Sequence, residues 1–242
     1  MTFPVLGPAL VALLVAVHLF SGKLKFLERL PRSRWLSAAG GSSVAYVFVH
    51  LLPELAHAQS LLGKQAEGTD FAAIETHIYL IALVGLVLFY GLQQVMSSSA
   101  ARRDMVTTPR LFWLHLSTFA VYSIIIGYLL IQGEDRTPAA LATYGIAMAL
   151  HMIVVDVGLR LAHGQLYHDK GRWVLAAMPI LGAGLALTTD ISELAILSMV
   201  AFLGGGVILN VLKEELPEDR QSSFAAFLAG TAGYTVLLLL AT

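Results

Sequence analysis

FPVLGPALVALLVAVHLF, residues 3–20, runs for eighteen positions without a Lys, Arg, Asp or Glu. An α-helix rising about 1.5 Å per residue needs a run of this kind to cross a hydrocarbon core about 30 Å thick. No basic residue precedes it, whereas a cleaved signal peptide opens with a positive region, so we read it as a retained first span. Working outward, further apolar runs place the spans at 3–22, 35–58, 71–96, 111–132, 138–161, 173–188, 191–214 and 223–241. In lipid a helix satisfies its own backbone N–H and C=O groups, which an open strand cannot do. The expectation is an all-α, polytopic membrane protein with eight transmembrane helices in a single domain covering 1–242.

Composition points the same way. The chain is 57% hydrophobic and 13% charged, too apolar for a water-soluble domain. Eight spans leave only short connections, so a separate soluble domain has no room. There is no cysteine, which excludes disulfides, thiolate metal sites and cysteine catalysis together. A net charge of −1 gives no reason to expect nucleic acid. It does hide an asymmetry: thirteen of the fifteen Lys and Arg residues fall in the connections after spans one, three, five and seven, leaving Lys64 and Arg136 on the other side. By the positive-inside rule both termini face outward, in a plasma (inner) membrane. Spans six and seven are separated by little more than Thr188, Thr189 and Asp190 and are expected to form a tight helical hairpin.

Chemistry-bearing residues cluster in few places. His50-Leu-Leu-Pro53-Glu54-Leu-Ala-His57 closes span two, and in a helix His50, Glu54 and His57 share one stripe. Imidazole with carboxylate suits a borderline cation such as zinc or iron; a polar helix end meeting water is the competing reading. Span seven ends with Asn210, Glu214 and Glu218 on one face, with Lys213 and Arg220 close enough to make a solvated rim instead. Both segments contain Leu-Pro-Glu, at residues 52–54 and 216–218. Those places correspond if spans one to three and six to eight are inverted repeats around a central pair, a layout typical of secondary transporters. Within that pair, span five holds His151 and Asp156. At i, i+5 they stand about 140° apart around the helix, so they do not easily share one ion. Span four offers His115, Tyr122 and Ser123. Glycines inside the spans, among them Gly41, Gly145, Gly182, Gly205 and Gly230, are expected to let helix backbones approach.

These features together resemble the ZIP family of divalent-metal transporters, with a His-Leu-Leu-Pro-Glu stretch in span two and an acidic Leu-Pro-Glu end to span seven. The resemblance implies a 3+2+3 helix arrangement and a two-metal site built from spans four and five. The family carries His-Glu-x-x-His-Glu-x-Gly in span five. Here His151, Asp156 and Gly158 match it, while Met152 and Val155 stand in place of a carboxylate and an imidazole. The span-four motif, His-Asn-x-x-Asp/Glu-Gly, reduces to Tyr122-Ser123-Ile-Ile-Ile126-Gly127. The family's His-rich loop after span three is replaced by the short stretch 97–110; His163 and His168 beyond span five are either its substitute or, the competing reading, solvated loop histidines.

What the resemblance implies is a divalent cation as substrate rather than cofactor. His151 and Asp156 would be its midplane contacts, supported by His115, Tyr122 or Ser123. His50, Glu54 and His57 would form the outer vestibule, and Asn210, Glu214 and Glu218 would stand near the inner one. Membrane lipid and a second copy of the chain are the other expected partners. Two alternatives stay open: a non-transporting scaffold acting as metal sensor or assembly partner, and an intramembrane hydrolase using Ser42 or Ser43 with His50. The hydrolase is geometrically poor, because Ser43 and His50 lie about 10 Å apart along a helix. We therefore expect a protein that is not an enzyme. Single cysteines placed at Lys64 and Arg103 in this cysteine-free chain are expected to react with an impermeant maleimide from opposite sides of a vesicle; same-side labelling would overturn the topology.

Overall fold

A computed structural model describes residues 5–23, 34–65, 78–101, 109–132, 137–210 and 223–241. Among them are nine α-helices and no strand. The helices are α1 (Leu6–Phe20), α2 (Arg34–Tyr46), α3 (Leu52–Gln65), α4 (Ile78–Ala101), α5 (Pro109–Gln132), α6 (Pro138–Leu166), α7 (Arg172–Thr188), α8 (Glu193–Asn210) and α9 (Phe224–Ala241). A 3₁₀ turn, Ser21–Lys23, continues α1. Among the described residues three helical runs are long and apolar enough to cross a membrane, Leu6–Lys23, Pro109–Gln132 and Pro138–Thr188; shorter apolar helices cover Ile78–Leu92, Glu193–Leu209 and Phe224–Leu240.

Local chemistry accounts for the irregular places. Pro53 has no N–H to give the carbonyl four residues back, and its ring crowds that carbonyl. The helix widens just before it into a π turn, Val47–Leu51, whose end is marked by Leu52 N bonding to Val47 O. α2 and α3 are thus one helical path with a bulge. α6 starts with Pro138 behind the N-cap Thr137, whose hydroxyl accepts from Ala140 N at 3.1 Å. The 51-residue run Pro138–Thr188 would be about 77 Å long if straight, far more than a bilayer needs. It is broken at Gly164, where φ 52 and ψ −124 suit a residue without a Cβ, and again at a second π turn, Tyr167–Gly171. The connection expected between spans five and six is therefore helical.

Helices pack in pairs. α2 lies on α9, α4 on α8, and α5 on α7, while α1 sits against α6 and α7, and α6 also meets α2. The expected hairpin of spans six and seven does not form as such: α7 packs against α5 and α1, and α8 against α4, so the two helices diverge from their short turn. Matching positions set the directions. His18 and Ser21 meet Asp156 while Leu10 meets Gly145, so α1 and α6 run parallel. Ser37 meets Ser223 and Gly41 meets Thr231, so α2 and α9 are parallel too. Gly7 lies against Leu130, so α1 and α5 are antiparallel.

Glycine makes these contacts. A Cβ on Gly41 would strike the Phe227 carbonyl, and one on Gly230 the Ala38 carbonyl, so α2 and α9 interlock reciprocally. Gly85 against Phe202 and Gly205 against Ala82 do the same for α4 and α8, as do Gly127 against Pro179 and Gly182 against Ile124 for α5 and α7. Most buried residues are apolar, yet a few polar groups share the interior and many large apolar side chains are exposed. His18, Ser21, His151, Asp156 and His163 are buried, whereas Leu187, Leu239 and Leu240 are among the most exposed residues. A bulky side chain in an interlock forces backbones apart, at about 1–3 kcal/mol for an overpacked site. Gly205→Val is expected to lose about that much stability in detergent unfolding, whereas Gly91→Ala, where a Cβ meets nothing within 4 Å, is expected to be neutral or slightly stabilising.

Candidate functional site

Asp156 is the most completely buried ionisable group in the described residues, at 0% exposure. Its Oδ1 lies 2.9 Å from His18 Nδ1 and accepts from the Tyr167 hydroxyl, and its Oδ2 accepts from Ser21 Oγ at 2.9 Å. Arg160 Nη1 donates to Ser21 Oγ at 3.3 Å. An ionised carboxylate only accepts, so His18 bonds through an Nδ1–H; its Nε2 has no partner among the described residues. The network ties the end of α1, one face of α6 and the second π turn together. Asp156 needs these partners because a carboxylate stripped of water is costly until donors replace the water.

Sequence reasoning assigned no role to His18, Ser21 or Tyr167, and marked Arg160 only as one of the basic residues of the connection after span five. Ser21 and Tyr167 are neutral, and His18 stood inside an apolar run; only the parallel packing of α1 on α6 reveals them. Asp156 was expected to contact a metal beside His151. The two residues leave the helix in different directions, and the two oxygens of Asp156 meet three side chains, those of His18, Ser21 and Tyr167. His151, 1% exposed, faces the ring of Tyr122 at a centroid distance of 6.0 Å. Tyr122 also packs on Phe89 and Phe119. Ser123, beside it, is 1% exposed, and its hydroxyl has no hydrogen-bond partner among the described residues.

His115 meets a residue read above as part of a solvated loop. Its Nδ1 lies 3.0 Å from His163 Nε2, and His163 is only 8% exposed because α6 extends past the expected end of span five. His168 is exposed. At the far end, His50 Nε2 and Glu54 Oε2 approach to 3.5 Å across the first π turn, and Tyr46 packs on the His50 ring. His57 does not join them. It is exposed, whereas the other two are partly buried, because a three-residue step turns it about 60° off the Glu54 face. Asn210 is the last described residue of α8, and Glu214 and Glu218 lie outside the described residues.

A small cavity of about 10 Å³ lies beside Glu54, lined also by Tyr46, Leu51, Tyr144, Met148 and Leu203. It has room for about one water. Among the described residues no three His, Asp or Glu side chains converge on a point where an ion could sit. The serines of the hydrolase alternative are engaged locally: Ser42 donates to Ala38 O at 3.1 Å and Ser43 to Ala39 O at 3.2 Å.

Leaving a buried hydrogen-bonding group without its partner costs about 1–3 kcal/mol, and Asp156 serves three partners at once. Asp156→Ala is expected to destabilise the protein by about that much in detergent unfolding, and His18→Ala by less, since it removes one donor of three. Equal stability of Asp156→Ala and wild type would show that the network holds nothing together. Among known proteins, the chain matches no family model, no curated protein and no solved structure.

Proposed function

We propose that this chain is a ZIP-like membrane transporter that moves a divalent cation of the zinc or iron class by alternating access. In this reading it has eight spans in a 3+2+3 arrangement, inverted repeats and both termini outside, and it resides in the plasma (inner) membrane. The observation that carries the reading is an exchange symmetry in the packing. α1, the bulged pair α2–α3, and α4 would be the first repeat, α7, α8 and α9 the second, and α5 with α6 the centre. Exchanging the repeats, and α5 with α6, turns the α2–α9 contact into α8–α4 and the α1–α6 contact into α7–α5. All four are among the main helix contacts, and each contains a glycine against the opposite helix. Inverted repeats of this kind underlie alternating access, one bundle rocking against the other around a fixed path.

The path in this reading runs by the cavity between α3, α5, α6 and α8. These helices include the first Leu-Pro-Glu and the two central spans. His50 and Glu54 stand at its outer side, and His151 with Tyr122 lies deeper; Asp156 serves to hold α1 on α6. A cavity with room for one water corresponds to a closed conformer. A second reading, a scaffold that retained the fold as metal sensor or assembly partner, is favoured by the lack of a three-ligand cluster among the described residues.

Proteoliposomes loaded with a metal-sensitive dye test the choice with zinc, iron, manganese and cadmium. Flux above protein-free vesicles is expected for the wild type, falling about tenfold or more in Glu54→Gln or His151→Ala, the range seen when metal-site groups are removed. No flux with any metal would reject transport and leave the scaffold.

A further inference from the structure

We propose that His115 and His163 form a two-imidazole site for a borderline divalent cation, set where α5 begins and α6 ends. The proposal rests on the functional reading above only for the kind of ion, not for transport. The two facing nitrogens, His115 Nδ1 and His163 Nε2, are 3.0 Å apart. Two nitrogens on one tetrahedral zinc at about 2.0–2.1 Å stand about 3.3–3.4 Å apart. An opening of a few tenths of an ångström therefore replaces one shared hydrogen by a metal ion with both lone pairs on it.

A hydrogen bond between the two rings uses the lone pair of only one of the facing nitrogens, and His163 is more than nine-tenths buried, so no bulk water reaches its side of the pair freely. Aromatic rings fix the orientation of both imidazoles: Phe112 stands edge-on to His163 at 5.2 Å, and Phe119 is tilted against His115 at 5.4 Å. Ligands already held in place lose little freedom when the ion arrives. Gly164 follows His163 directly with φ 52, so the helix breaks just after the second imidazole. His115 is only partly buried, which leaves a way in for the ion and for the water that would complete its shell. Two protein ligands with open positions suit an exchangeable ion rather than a structural one.

Co²⁺ titration of the purified full-length protein tests the site, because cobalt reports its ligands by colour. The wild type is expected to bind saturably, and His115→Ala and His163→Ala each to bind at least about tenfold more weakly. His163→Cys keeps a ligand at that position. In a chain without cysteine, the thiolate-to-cobalt absorption band it creates can come from nowhere else, so this variant tests the site even where His163→Ala folds poorly. Absence of that band in a monodisperse, helical His163→Cys protein, or binding unaffected by both alanine variants, would overturn the proposal. Vesicle flux without the band removes this site and leaves transport; the band without flux leaves the site and removes transport.

Discussion

Direct contact between helix backbones is the constraint on which the rest of this protein depends. In a water-soluble bundle, burying apolar side chains draws helices together. Here many large apolar side chains are exposed as well as buried, and in lipid that drive would be weak. What remains is close packing, and it is supplied at positions where a Cβ would collide with the opposite backbone: Gly41 and Gly230, Gly85 and Gly205, Gly127 and Gly182. Polar links reinforce the same pairs. Thr231 donates to Gly41 O across α2 and α9, and Gln132 reaches the Ala186 carbonyl across α5 and α7. Because each interlock is reciprocal, it fixes the axial register of its pair as well as the distance.

That register brings polar residues together inside the bundle. With α1 parallel to α6 and Leu10 seated on Gly145, the end of α1 arrives beside Asp156. Ser21 then links Asp156 to Arg160, and the second π turn delivers Tyr167 from the other side. A carboxylate surrounded in this way serves the assembly of three elements, and its donors leave little for an ion. Under the proposed function the ion-binding weight falls on His50 with Glu54 near the cavity, and on the facing imidazoles of His115 and His163.

Two irregular turns carry much of this geometry. The bulge before Pro53 lets His50 and Glu54 meet although a wider turn separates them. The break at Gly164, together with the second π turn, divides what would be an overlong helix into α6 and α7 while keeping the connection helical. Both sit beside the histidines of the two candidate ion-binding places. Local backbone adjustments thus aim the side chains that the long helices merely carry.

The sequence by itself determined the helical segments and their approximate limits. Apolar length and the helix period are local properties, and α5, α7 and α9 begin and end within two residues of the runs legible in the chain. It also marked Asp156 and His151 as unusual, since an ionisable group inside an apolar span is costly wherever it points. Only the tertiary structure decided their partners. Which side chain answers Asp156 depends on α1 lying parallel to α6, 138 residues away in the case of His18, and no local pattern encodes that distance. The same holds for His163, whose place in the sequence suggests a loop and whose burial depends on α6 continuing until it meets α5. Periodicity fixes a face of one helix; long-range packing fixes what that face meets.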